Sequence, residues 1–173
     1  MEYFDVLKKR KSVRKYNGQE IPAEKLKRIL EAGNLAPSGK NLRPVDFVVV
    51  KDRDMLEKLS RVRTAGAGML TGAACAIVVI GDAVKADTWI EDCSIAMTCM
   101  HLCATDLGVG SCWIQMRMRK DPLDVLADTN VKNLLGIPER FSVEAILSLG
   151  MVDELPKGHE VDDFPAQVHY GSF

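Results

Sequence analysis

Two short stretches of the chain carry residue types that can do chemistry. The first is Lys8-Lys-Arg-Lys-Ser-Val-Arg-Lys15, where arginine and lysine stand close to a hydroxyl. That combination suits a phosphate, through charge-assisted and bidentate hydrogen bonds. A solvated basic face and a nucleic-acid patch compete with the anion site. The formal net charge of -1 over 173 residues weighs against nucleic acid, whose binders present a basic domain. Ser12 and Val13 make the segment too apolar for a free tail, and the other two readings stay open. The second stretch is Leu35-Ala-Pro-Ser-Gly-Lys-Asn-Leu-Arg-Pro44. Two prolines, a glycine, a serine and an asparagine make a rigid loop rich in polar groups. It is long for a plain helix-to-strand connector, and loops held by rigid flanks often carry function.

Conventional acid–base machinery is missing from the pattern. There is no triad, no pair of clustered carboxylates and no metal constellation. Cys99 and Cys103 share a helix face, but no third and fourth ligand follows at a recognised spacing. The five cysteines, Cys75, Cys93, Cys99, Cys103 and Cys112, read as reduced thiols in apolar surroundings. His101 reads as a hydrogen-bonded core histidine. Gly66-Ala-Gly68 is no dinucleotide fingerprint, because no strand delivers it. Anion-binding residues without acid–base groups suggest a cofactor that brings its own chemistry.

The elements that position these stretches are organised around Trp89 to Met116. Residues 89–107 form a helix apolar almost all round, which places it inside a core and at the centre of a dimer. Gly108 and Gly110 stop it, and Ser111–Met116 follows as a strand. Asp46–Lys51, Cys75–Ile80 and Val143–Gly150 are three more apolar strands. Met1–Lys9 is an amphipathic helix with Phe4 and Leu7 facing inward. A second helix opens at Pro22, with Leu26, Ile29 and Leu30 as its inner stripe. Asp52 or Asp54 caps a third, and Pro122–Ala127 and Val131–Leu135 are short helices, the latter closed by Gly136. Residues 1–173 form one domain. Residues 153–173, with Pro156, Pro165 and Gln167–Tyr170, form a C-terminal arm that needs another surface. No apolar run has the length of a membrane span and the N-terminus has no signal-peptide pattern, which implies a cytoplasmic protein.

Taken together, the pieces resemble the nitroreductase family of flavin enzymes in its short form. They are Arg10-Lys-Ser-Val-Arg14, Ala36-Pro-Ser-Gly-Lys-Asn-Leu-Arg-Pro44, Gly108-Val-Gly-Ser-Cys-Trp-Ile114, Gly136-Ile-Pro138 and Leu147-Ser-Leu-Gly-Met151, in order over residues 2–152. The resemblance implies an α+β fold: a sandwich with a mainly antiparallel central sheet flanked by helices. It also implies an intertwined homodimer with FMN at the interface. Arg10 and Ser12, with Lys11, would bind the phosphate and ribityl chain. Arg14 would sit near the N1–O2 edge of the ring, where a cation favours the reduced cofactor. Ser38 and Asn41, shaped by Pro37 and Gly39, would contact the ring from the partner subunit or close to the interface. Ile114, Gln115, Leu149 and Gly150 resemble the wall by the ring. No protein residue would be the reacting group.

The implied activity is FMN-dependent NAD(P)H oxidation in a ping-pong cycle. Its acceptors would be small molecules such as nitroaromatics or quinones. Alternatives are a specialised enzyme such as a dehalogenase or an enoate-type reductase, or a non-catalytic flavin-binding redox sensor. The chain departs from the family at Arg43, where a glutamine is usual, and at Val45, where an aromatic often stands. Its end, His169-Tyr-Gly-Ser-Phe173, lacks the C-terminal arginine of many members. Phosphate binding then rests on Arg10 and Lys11, or borrows a cation such as Lys157.

Overall fold

The element order follows the changes in apolar periodicity along the chain. It runs α1 (Tyr3–Lys9), α2 (Ala23–Asn34), β1 (Val45–Val50), α3 (Arg53–Leu59), β2 (Cys75–Asp82), α4 (Trp89–Asp106), β3 (Val109–Gln115), α5 (Ala127–Leu135) and β4 (Phe141–Met151). Short 3-10 turns lie at Gly39–Asn41 and Gly68–Gly72. The computed structural model describes residues 1–160 and 168–173, so Pro165 and Gln167 of the expected arm lie outside the described residues. The four strands form one antiparallel sheet in the order β1-β2-β4-β3. All four fall where the apolar runs place them, with ends shifted by a few residues, and the α+β class follows.

Strands β2 and β4 are central and covered on both faces, which is why they read as continuous apolar runs. Ile77, Val79, Leu147 and Leu149 pack against α2 and α4. Val78, Ile80, Val143 and Ile146 pack under α3 and α5 on the other side. A bulge between Val79 and Ile80 skips Glu144, since Val79 pairs with Ala145 and Ile80 with Val143. Close packing of α4 needs two glycines. A Cβ on Gly33 would stand 2.8 Å from Phe47 Cζ and 2.9 Å from Met100 Cγ; on Gly81 it would stand 2.7 Å from Trp89 Cε3.

Helix α4 buries Cys93, Met97, Met100 and Ala104 completely. Each large apolar side chain so buried contributes roughly 1.5–3 kcal/mol. Its opposite face stays outside: Ile95 is 39% exposed, and Cys99 and Leu102 are half-buried. The apolar-all-round helix is thus the centre of the packing but not enclosed by its own chain. Helix α1 lies against α4, and the terminal ammonium meets Asp106 Oδ1 at 2.8 Å. The expected inward Phe4 and Leu7 are a correction, since Phe4 is 71% exposed and Val6 is the buried residue. So short a helix presents one position to α4, and its other apolar side chains join the outer surface.

Local signals set most of the boundaries. Asp52 accepts the Met55 N–H at 2.8 Å and caps α3. Gly136 ends α5 at φ 65°, with the Ile137 N–H reaching the Lys132 carbonyl at 3.0 Å. The helix expected over residues 122–127 is instead a turn. Asp121 Oδ1 accepts the N–H groups of Leu123 and Val125 at 2.9 Å each, and α5 begins only at Ala127. A carboxylate that satisfies backbone donors in a turn competes with the helix there. No helix among the described residues is long and apolar enough to cross a membrane. Gly81→Ala is expected to lower the unfolding free energy by roughly 1–3 kcal/mol through overpacking beneath Trp89, measurable as a lower midpoint in chemical denaturation.

Candidate functional site

The basic segment is laid along the outer edge of β3. Ser12 bridges Ser111 in parallel, and the Val13 N–H donates to the Ser111 carbonyl at 2.9 Å. An edge strand left open would invite unwanted pairing, so this segment also covers it. Val13 turns into the core, while Arg14 is exposed. Arg10, half-buried at the end of α1, approaches His101 Nε2 through Nη1 at 3.3 Å. A guanidinium only donates, so Nε2 accepts and Nδ1 carries the proton, which faces Ser111 Oγ at 2.6 Å. Burial, and then the Arg10 charge, hold the His101 pKa down at about 4. The expected hydrogen-bonded core histidine is there, with an arginine on it. Among the described residues Arg10, Lys11 and Arg14 make no ion pair.

Beyond this segment opens a cleft of about 520 Å³. Arg14, Lys15 and Tyr16 line one side, and Gly68, Met69, Thr71 and Gly72 the other. A Cβ at Gly68 or Gly72 would meet nothing within 4 Å, so this wall is bare backbone facing open space. Tyr16 closes the floor. Its hydroxyl donates to the Val13 carbonyl at 3.0 Å and meets Ser148 Oγ at 2.7 Å. Burial raises the phenol's pKa, so it stays protonated. Its ring lies on Gly150, where a Cβ would be 2.4 Å from Tyr16 Cγ. The glycine is required by that approach. Sequence reasoning gave Tyr16 no role, and its partner Ser148 stands 132 positions away.

The other expected wall residues divide. Ile114 and Leu149 are buried in opposite layers of the core, so only their backbone can face a ligand. Gln115 links two polar neighbours: its Oε1 accepts from Trp113 Nε1 at 2.8 Å, and its Nε2 donates to Glu144 Oε1 at 2.9 Å. The Glu144 carbonyl, at the bulge, accepts both the Met116 and Arg117 N–H groups at 3.1 and 3.0 Å. Arg63 donates to the Gln115 carbonyl. Glu144 and Arg63 were not legible as site neighbours, since a bulge sets one and a loop of no periodicity the other.

The second stretch is as constrained as its composition implies. Lys40, Asn41 and Arg43 hold φ of 51°, 54° and 49°, a left-handed conformation uncommon outside glycine. The strain is held by local bonds. Ser38 Oγ accepts the Arg43 N–H at 3.0 Å, the Ser38 carbonyl accepts the Asn41 N–H at 3.0 Å, and Asn41 Oδ1 accepts from Arg43 Nε at 3.1 Å. Buried Asp92 ties the loop to α4: Oδ1 accepts the Gly39 N–H at 2.9 Å, and Oδ2 accepts the Thr88 hydroxyl at 3.0 Å. A side chain at Gly39 would strike Thr88 Oγ1 at 2.4 Å. Pro37, Ser38 and Arg43 line a second cleft of about 150 Å³ beside Asp92 and Ala96.

One chain keeps its two polar stretches apart. The basic segment lies on β3 and the Pro-Ser-Gly loop leads into β1, the opposite edge of the four-stranded sheet, about 14 Å across. Along α4, His101 and Asp92 are separated by about 14 Å more. The cationic stretch and the stretch of strained backbone therefore lie at opposite edges of one sheet.

The fold is an antiparallel α+β sandwich with a basic segment laid on the outer edge of its sheet. The chain belongs to the Nitroreductase family, whose sequence model matches residues 7–65 and 55–151. It is 39% identical, over 92% of both chains, to an Archaeoglobus fulgidus protein provisionally described as an NADH dehydrogenase/NAD(P)H nitroreductase. Among solved structures, an FMN-dependent nitroreductase from Clostridium difficile R20291 superposes with a TM-score of 0.94 at 45% identity, covering 98% of this chain and 99% of that one. A Bacteroides thetaiotaomicron protein, provisionally described as an NADH dehydrogenase/NAD(P)H nitroreductase, superposes with a TM-score of 0.89 at 31% identity, covering 100% and 99%.

Two outcomes follow from these contacts. Asp92→Ala leaves the Gly39 N–H without its acceptor and is expected to speed hydrogen exchange at that amide, at a stability cost of about 1–3 kcal/mol. His101 binds its proton more weakly folded than unfolded, so its stabilising contribution is complete above about pH 6.5 and is lost as pH falls toward about 4. A His101→Gln variant should lose less stability than the parent chain over that window, as read by thermal melts.

Proposed function

We propose that the chain is an FMN-dependent NAD(P)H oxidoreductase of small electron acceptors, nitroaromatics and quinones among them, working as a homodimer. The observation that carries the reading is the set of cations, Arg10, Lys11 and Arg14, pinned along β3 without ion-pair partners among the described residues. Arg14 also borders a cleft large enough for a planar ring system. The FMN-dependent relative from Clostridium difficile supports the same cofactor.

The residues fit that group by the chemistry of their donors. Arg10, Lys11 and the Ser12 hydroxyl would hold the phosphate and ribityl chain. Arg14 would face the ring's N1–O2 edge, supplying positive charge where reduction leaves negative charge. The backbone of residues 114–115 and of Leu149 and Gly150 would form the wall beside the ring. When bound, FMN supplies the hydride exchange, with nicotinamide donor and acceptor taking turns on one open face in a ping-pong order. No acid–base side chain is asked of the protein, whose task is to bind, orient and leave that face accessible.

A second copy completes the site on this reading. The half-sites at opposite edges of one sheet meet only if the partner's Ser38 and Asn41, on the loop shaped by Pro37 and Gly39, approach the first chain's cations. The outward stripe of Ile95, Cys99 and Leu102 on α4, with Phe4 and Leu7 of α1, provides the apolar surface for that contact. The C-terminal arm would continue onto the partner. Its first part, near Gly158, turns back to its own α1, where the His159 N–H donates to the Lys8 carbonyl at 2.8 Å.

The purified protein should show a flavin absorption spectrum that bleaches anaerobically with NADH or NADPH and recovers on adding a quinone. A spectrum that stays oxidised with both donors would replace the enzyme with a flavin-binding sensor. Ile95→Asp, at a position exposed in the single chain, is expected to leave the fold intact while shifting the protein to monomer in light scattering and weakening FMN binding at least tenfold.

A further inference from the structure

The contact between Arg10 and His101 has a chemical feature that a surface arginine lacks. The guanidinium is held by an acceptor that carries no charge. His101 Nε2 lies 3.3 Å from Arg10 Nη1, and the imidazole is 6% exposed. The guanidinium can only donate, so Nε2 accepts, and the proton on Nδ1 is donated to Ser111 Oγ at 2.6 Å, which holds the ring in that tautomer. Ser111 also accepts the Val13 N–H through its carbonyl and bridges Ser12. One residue of β3 thus fixes both the imidazole and the backbone that carries the basic segment. A carboxylate in place of His101 would orient Arg10 equally well, yet would cancel its charge. An apolar residue would leave the charge but not the orientation.

We propose that His101 is the positioning residue of the phosphate subsite: its uncharged imidazole, locked by Ser111, aims the Arg10 guanidinium at a phosphate monoester while leaving the whole positive charge for it. This rests on the reading that Arg10 meets the phosphate of FMN. An arginine already held in place binds better than one that must be ordered on binding. The low proton affinity of the imidazole keeps the arrangement uncharged at neutral pH.

The test compares FMN with riboflavin, which has the same ring and ribityl chain but no phosphate. The full-length protein, freed of flavin, is titrated with each, following flavin fluorescence. The ratio of the two dissociation constants reports the phosphate subsite alone. His101→Leu is expected to reduce the preference for FMN about tenfold, with riboflavin binding unchanged. His101→Gln, which keeps a neutral acceptor, should retain most of the preference. His101→Glu, which keeps an acceptor but adds a negative charge, should lose it as fully as Arg10→Gln does. Equal weakening of both flavins in the Leu and Glu variants would mean a merely structural histidine and overturn the proposal. So would an unchanged ratio in those variants alongside a reduced one in Arg10→Gln. An unchanged ratio in Arg10→Gln itself would instead overturn the phosphate role of Arg10, and the proposal with it.

Discussion

The burial of α4 against the central strands is the constraint on which the rest of the molecule depends. Cys93, Met97, Met100 and Ala104 recur at helical spacing and fix the rotation of α4 about its axis over β2 and β4. That rotation decides where Asp92 and His101, two of its three buried polar residues, point. Asp92, near the start of the helix, reaches the Pro-Ser-Gly loop; His101, two and a half turns on, reaches the basic segment. A helix turned by one residue, about 100°, would unseat both. The same apolar packing that stabilises the fold therefore sets the geometry of both polar contacts.

The two polar anchors differ in charge, and the difference has a physical reason. Asp92 is satisfied by neutral donors, an amide and a hydroxyl, at the positive end of its own helix. Its charge tethers strained backbone at Lys40, Asn41 and Arg43, a conformation that persists only when neighbouring bonds over-determine it. His101 faces a cation and stays neutral, so the charge of Arg10 is oriented but not spent. The chain thus presents strained backbone at one edge of the sheet and, at the other, cations that make no ion pair among the described residues. Membership in the Nitroreductase family and the FMN-dependent relative fit that division.

Much of the architecture was legible in short windows of the chain. The four apolar strands, a cap at Asp52 or Asp54 (Asp52 in the structure), and the stops at Gly108 and Gly136 each depend on residues a few positions apart, where period, capping and left-handed φ act. Where local chemistry offered two answers, the sequence misled. Residues 122–127 have helical composition, but Asp121 binds the backbone of the turn instead. Phe4 and Leu7 have amphipathic spacing, but which face of α1 meets α4 is decided by the neighbour and not by the spacing.

The sequence by itself determined the class of fold, the family, and the two stretches that carry the polar chemistry, because residue type and spacing are written locally. Only the tertiary structure decided how those stretches are held. Tyr16 on Gly150, Asp92 on Gly39, and Arg10 on His101 join positions 134, 53 and 91 apart. Glu144 reaches Gln115 from a bulge in the strand paired with β3. Such pairs depend on strand register and helix rotation, which are properties of the packed core as a whole and leave no periodic trace at the residues they bring together.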